Sequence, residues 1–124
     1  MKLEEILVSE VVDLTSLKTF FATDRIMLIE IIEVFLSDTT TKISSLEKNI
    51  FKPNYQDVKD ICIYLKSSFG LMGVNCMNEI TELELLSEND ESDIISKEKL
   101  NHVVLTTKES LTEYKTILDK LKSL

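Results

Sequence analysis

The sequence predicts an all-α protein, an antiparallel up-down four-helix bundle with a short N-terminal helix. Three observations lead there. Apolar residues recur at spacings of three and four over four long stretches, which keeps them on one side of a helix. The breaks between those stretches are short, as between antiparallel neighbours in a bundle. Only two glycines and one proline occur in 124 residues, and both residue types break helices.

Each element has its own justification. Within residues 1–10, Leu3, Ile6 and Leu7 have helical spacing, which fits a short lead helix. Asp13 can cap a short helix through Phe21, with Leu14, Leu17, Phe20 and Phe21 as its apolar side. Residues 22–24 form a brief connection, in which Thr23 suits an N-cap. The second element is expected over Asp24–Ile50, with Leu28, Ile32, Phe35, Leu36, Ile43, Leu46 and Ile50 as apolar positions. Its first half is hydrophobic over a wide arc, so it should be covered on more than one side. Thr39, Thr40 and Thr41 are β-branched and weaken helix propensity; tertiary contacts are expected to carry the helix through them. Lys52-Pro53-Asn54 breaks the chain, because proline disfavours helix in the residue before it and Asn54 can cap a new helix.

The stretch Asn54–Val74 reads as one amphipathic helix with Val58, Ile61, Cys62, Leu65, Phe69 and Met72 on its inner side. Gly73 is a natural left-handed C-cap. Asn75 can cap the next helix, whose inner stripe is Met77, Ile80, Leu83 and Leu86. Ser87–Asp93 reads as a solvated charged loop, without the D-x-D-x-D-G order of a calcium loop. Ser96 can cap the last helix, where Leu100, Val103, Val104, Thr107, Leu111, Tyr114, Leu118 and Leu121 keep three-four spacing. There is no internal repeat.

Composition narrows the function classes. The length fits one domain over residues 1–124, and 44% hydrophobic residues supply a core without disulfide staples. The formal net charge of −8 argues against nucleic acid and against an anionic membrane surface, both of which need clustered Lys and Arg. Cys62 and Cys76 are expected as buried free thiols of a reducing compartment. The longest apolar run, Ile26–Leu36, is interrupted by Glu30 and Glu33 and falls short of the roughly 18 residues of a membrane span. The first ten residues lack the basic and apolar regions of a signal peptide. A cytoplasmic protein is expected.

The outer side of the 54–74 helix carries Gln56, Lys59, Asp60, Ile63, Lys66, Ser67 and Gly70. Ile63 is the anomaly, an aliphatic at the centre of a polar face. Tyr55, then Val58, Ile61 and Cys62, then Leu65, Lys66 and Ser68, and finally Gly73 fall into one pattern. It resembles the signature helix of histidine-containing phosphotransfer (HPt) domains: an aromatic, two apolar turns, H-x-L-K-G-S and a closing glycine. Ile63 stands at the position of the phosphate-accepting histidine, and Ser67 at that of the small glycine. The resemblance implies a four-helix bundle whose working face lies on this helix. It also implies a partner from two-component signalling, a response-regulator receiver domain or a histidine kinase. Lys66 would face the acidic pocket of a receiver, with Lys59 one turn before Ile63 adding charge. Ile63 would be an apolar knob worth about 1.5–3 kcal/mol if buried by a partner. The expected partner-binding face is therefore Lys59, Ile63, Lys66, Ser67 and Gly70.

The chemistry of that family is expected to be absent. Phosphotransfer needs an exposed, nucleophilic imidazole nitrogen, and an alkyl side chain has no lone pair. Tyr64, Ser67 and Ser68 are nearby hydroxyls without an evident base in the sequence. The one histidine, His102, lies off the apolar stripe of the last helix, with Leu105 where a lysine would be wanted, and reads as a surface residue. No His/Cys cluster suggests zinc, and no glycine-rich loop could cradle a phosphate. The sequence thus points to a non-enzyme without metal or cofactor. The leading expectation is a pseudo-phosphotransfer protein of a two-component phosphorelay, which binds receiver domains without accepting phosphate. The alternative is an unrelated helical-bundle interaction module that homodimerises or binds a partner helix.

Overall fold

The computed structural model describes residues 2–21, 23–89 and 93–124, and their side chains except at 86–89 and 93–96. The fold is all-helical among these residues. Six helices occur in order: α1 Leu3–Ile6, α2 Thr15–Phe21, α3 Arg25–Phe51, α4 Tyr55–Met72, α5 Met77–Asn89 and α6 Asp93–Lys122. No helix of the described residues is long and apolar enough to cross a membrane.

The starts of α2, α3 and α4 are set by single polar side chains. The Asp13 carboxylate accepts the Thr15 amide at 2.9 Å just ahead of α2, and these bonds from Thr15 hold its pKa below the usual carboxylate value. α3 is capped by Asp24, which accepts from the Met27 amide at 3.0 Å, and not by Thr23. Aspartate one position later reaches the third amide of the helix equally well. Asn54 caps α4 as expected, accepting from Asp57 at 3.1 Å. Behind that cap, Asn49 is buried and ties the α3–α4 turn together. Its Nδ2 donates to the Ser45 carbonyl at 2.9 Å and to Asp57 at 2.8 Å, and its Oδ1 accepts from the Asn54 amide at 2.7 Å. At α5 the cap position is Cys76, whose carbonyl accepts the Ile80 amide at 3.1 Å, one residue after the expected Asn75. The expected loop over Ser87–Asp93 is shorter, because α5 runs to Asn89 and α6 begins at Asp93. Residues 90–92 lie outside the described residues. Ser96 falls inside α6, which begins at Asp93, and its side chain lies outside the described residues. Acidic and polar side chains on a helix surface do not end it unless a backbone breaker accompanies them.

The core is built largely from the predicted stripes; on α5, Ile80 and Leu83 are buried and Met77 is partly buried, and the Leu86 side chain lies outside the described residues. Val58, Ile61, Cys62, Leu65, Phe69 and Met72 of α4 are all buried, as are all eight positions from Leu100 to Leu121 named for α6. The threonine run does not break α3. Thr39 is buried, and the Thr40 and Thr41 hydroxyls donate to the Leu36 and Ser37 carbonyls four residues back. Two aromatic edge contacts knit the centre, Phe35–Phe69 at 6.3 Å and Phe35–Tyr114 at 5.3 Å between ring centroids. One expectation fails on the outer surface of α2, where Phe20 is exposed. The first half of α3 is covered from more than one side, by α2, α4 and α6, with Ile29 and Ile31 partly buried, but Ile26, Met27 and Val34 are left exposed. Leu28, Ile32 and Phe35 satisfy the core, and a second apolar stripe on α3 is left over.

The C-terminus of α4 is locked. Gly73 adopts φ 65° and ψ 34°, and its carbonyl accepts the Asp13 amide at 2.9 Å. A Cβ there would stand 1.8 Å from the Asp13 carbonyl oxygen, so both the backbone angle and the close approach require glycine. The buried Tyr114 hydroxyl donates to the Met72 carbonyl beside it.

Pairs between helices are specific. α3 meets α4 at Phe35–Phe69, Asp38–Tyr64 and Asn49–Asp57. α4 meets α5 at Lys66–Glu84 and Gly70–Met77. α5 meets α6 at Glu79–His102 and Glu82–Lys99. α3 meets α6 at Arg25–Leu121, Phe35–Tyr114 and Glu47–Lys108.

Candidate functional site

The five residues expected to bind a partner share one side of α4. Ile63, Ser67 and Gly70 are exposed, and Lys59 and Lys66 are half-buried at the edges. Ile63 is 49% exposed, whereas Ile61, two residues earlier on the same helix, is 3% exposed. The helix turns about 100° per residue, so two steps carry a side chain to the far side. The N-terminal segment does not cover Ile63. Its buried residues Ile6 and Leu7 belong to the main core, and α1 packs on α6.

The electrostatics of this face are less open than the sequence suggested. The Lys66 ammonium bridges to Glu84 of α5 at 2.9 Å, so its charge is shared with an acid before any partner arrives. Both groups are partly exposed, and such a pair contributes about 1 kcal/mol or less. Ser67 donates to the Tyr64 carbonyl at 3.3 Å, an intrahelical bond that turns its hydroxyl toward the backbone. A Cβ on Gly70 would meet only the Met77 Cε at 3.8 Å, so alanine fits there and the glycine serves no steric need of the fold.

Sequence reasoning missed the neighbour that the tertiary fold supplies. Tyr64 donates its hydroxyl to the Asp38 carboxylate of α3 at 2.9 Å, and the Lys42 ammonium stands 4.7 Å from its ring centroid. The hydrogen bond to Asp38 raises the phenol's pKa. The carboxylate therefore holds the proton on the phenol, which anchors the ring and keeps it a poor nucleophile. His102 is exposed on α6 with its Nε2 3.5 Å from Glu79, on another helix from Ile63.

Cys62 and Cys76 are free and buried. Burial, ahead of nearby charges, pushes each thiol up to about 12, the opposite of what a reactive cysteine needs. Among the described residues, no three His, Cys, Asp or Glu side chains are grouped to hold a metal ion. Beside the five-residue face runs a groove of about 370 Å³ between α3 and α4, bordered by Met27, Ile31, Val34, Tyr64 and Leu71. Its signal in the sequence is the surplus apolar arc of α3, which the periodicity alone places in the core.

No protein-family model matches this chain, and no curated protein or solved structure matches it either.

Proposed function

We propose that the chain is an HPt-like domain without its phosphoacceptor, which docks receiver domains of two-component systems in the cytoplasm and carries no phosphate. One observation carries the reading. The residue at the histidine position of the pattern, Ile63, stands half-exposed at the centre of the outer side of α4, among Lys59, Lys66, Ser67 and Gly70. An aliphatic in that place cannot take a phosphoryl group but can bury against a partner. The fold proposed with it is an antiparallel up-down bundle of α3, α4, α5 and α6, with α1 and α2 as the N-terminal addition. The contact pairs support this. Across the contacts between neighbours, residue numbers along one helix fall on the whole as they rise along the other, as in Arg25–Leu121, Phe35–Tyr114 and then Glu47–Lys108.

The test is incubation with phosphorylated receiver domains. The expected result is a complex without acid-labile label on the chain. Label on the chain would refute the loss of transfer, and absence of any complex would refute docking. Ile63→His is expected to restore transfer if the face is that of a phosphocarrier.

A second reading, an interaction module outside phosphorelays, is favoured by apolar exposure away from this face. Phe51 at the end of α3 is 85% exposed, and Leu105 of α6 is 63% exposed. Light scattering on the intact chain checks for self-association.

A further inference from the structure

The second apolar stripe of α3 has a defined shape. Met27, Ile31 and Val34 lie at i, i+4 and i+7, and face Leu71 across the groove to α4. Val34 is 59% exposed and Met27 38% exposed, while Ile31 between them is partly buried against the core. Along α3 the groove runs from Met27 to Asp38, roughly 16 Å or three helical turns. Two helices form its walls, which is the geometry into which the ridge of a further helix packs. The charged residues in the lining are both acidic, Glu30 and Asp38, one toward each end. The Lys42 ammonium stands over the Tyr64 ring at the Asp38 end, and the chain as a whole carries −8.

We propose that this groove docks a short amphipathic helix from a basic partner, with apolar anchors at i, i+4 and i+7 between two Lys or Arg residues. The anchors fill the space between Val34, Ile31 and Leu71. The flanking cations lie about two and a half turns apart and meet Glu30 and Asp38. An acidic helix would set like charges against both carboxylates, and a second copy of this chain would bring a net charge of −8 against its like. Glu30 is exposed and offers its carboxylate directly. Asp38 already accepts the Tyr64 hydroxyl at 2.9 Å, and a carboxylate has lone pairs left for a cation. The site lies on the flank of α4 next to Ile63 and on α3, and it does not depend on receiver docking.

The probe is a dye-labelled synthetic helical peptide of about four turns, with leucine at i, i+4 and i+7 and flanking lysines. Its twin carries glutamates in place of the lysines. Anisotropy titrations against the full chain are expected to show binding of the lysine peptide at least about tenfold tighter than its twin. The double variant Glu30→Lys/Asp38→Lys, checked for helicity by circular dichroism, is expected to invert that order. Amide shifts are expected at Met27–Asp38 and Tyr64–Leu71. Equal binding of the two peptides, binding of neither, an order unchanged by the charge reversal, or shifts elsewhere would each overturn the proposal. A dimer dispersed by Val34→Lys, with neither peptide bound, would overturn it in favour of a second copy as the occupant.

Discussion

Apolar side chains on the inner and outer sides of α4 have opposite fates. Ile61 and Leu65 are enclosed by neighbouring helices, whereas Ile63 and Tyr64 stand half in water. The inner side is redundant in its fixation. It has a stripe of six buried residues, an asparagine cap with a buried amide behind it, and a glycine lock at its end. The outer side is held by isolated contacts, Lys66 to Glu84 and Tyr64 to Asp38. The difference teaches where selection by folding ends. The inner residues are enclosed by the fold, whereas Ile63 is left half-exposed, and the binding role proposed for it rests on that exposure.

That contrast can be broken by substitution. The largest effect is expected at the lock. Gly73→Ala would force a left-handed alanine and drive a Cβ into the Asp13 carbonyl, with a loss of about 4 kcal/mol or a failure to fold. Urea titration measures it, and a loss below about 1 kcal/mol would show that the N-terminal strap yields freely. Next comes Leu65→Ala, fully inside the core, at about 3 kcal/mol from lost transfer energy and the cavity left behind.

The pH dependence of the inner side is smaller per step and has a definite sign. Cys62 and Cys76 stay protonated in the folded chain up to about 12, against an ordinary value of 9.0. Above that ordinary value the unfolded chain releases these protons first. Stability is therefore whole below about pH 9 and falls toward pH 12, by about 1 kcal/mol per pH unit for each thiol. Denaturation curves in reductant at about pH 8 and about pH 10 test this, and a flat profile would mean that water reaches the thiols. The smallest effect is expected on the outer side. Ile63→Ala should change stability by less than about 0.5 kcal/mol while weakening the proposed receiver complex. A stability loss like that of Leu65→Ala would erase the distinction between the sides.

The sequence by itself determined the helices and their inner faces. Three-four spacing is a property of one helix, so the stripes of α4 and α6 were legible residue by residue. Asn54 and Gly73 were legible too, because a cap answers to its own next turn. The exposure of Ile63 came from the same wheel. The start of α6 ahead of Ser96 and the fate of the spare apolar arc of α3 were not legible. Local pattern does not say which side of a helix will find a neighbour. Only the tertiary structure decided that Lys66 is bridged, that Asp38 anchors Tyr64, and that Met27, Ile31 and Val34 border a groove. Those facts depend on the register and rotation of one helix against another. The summed packing of the whole core sets that register, and no single helix encodes it.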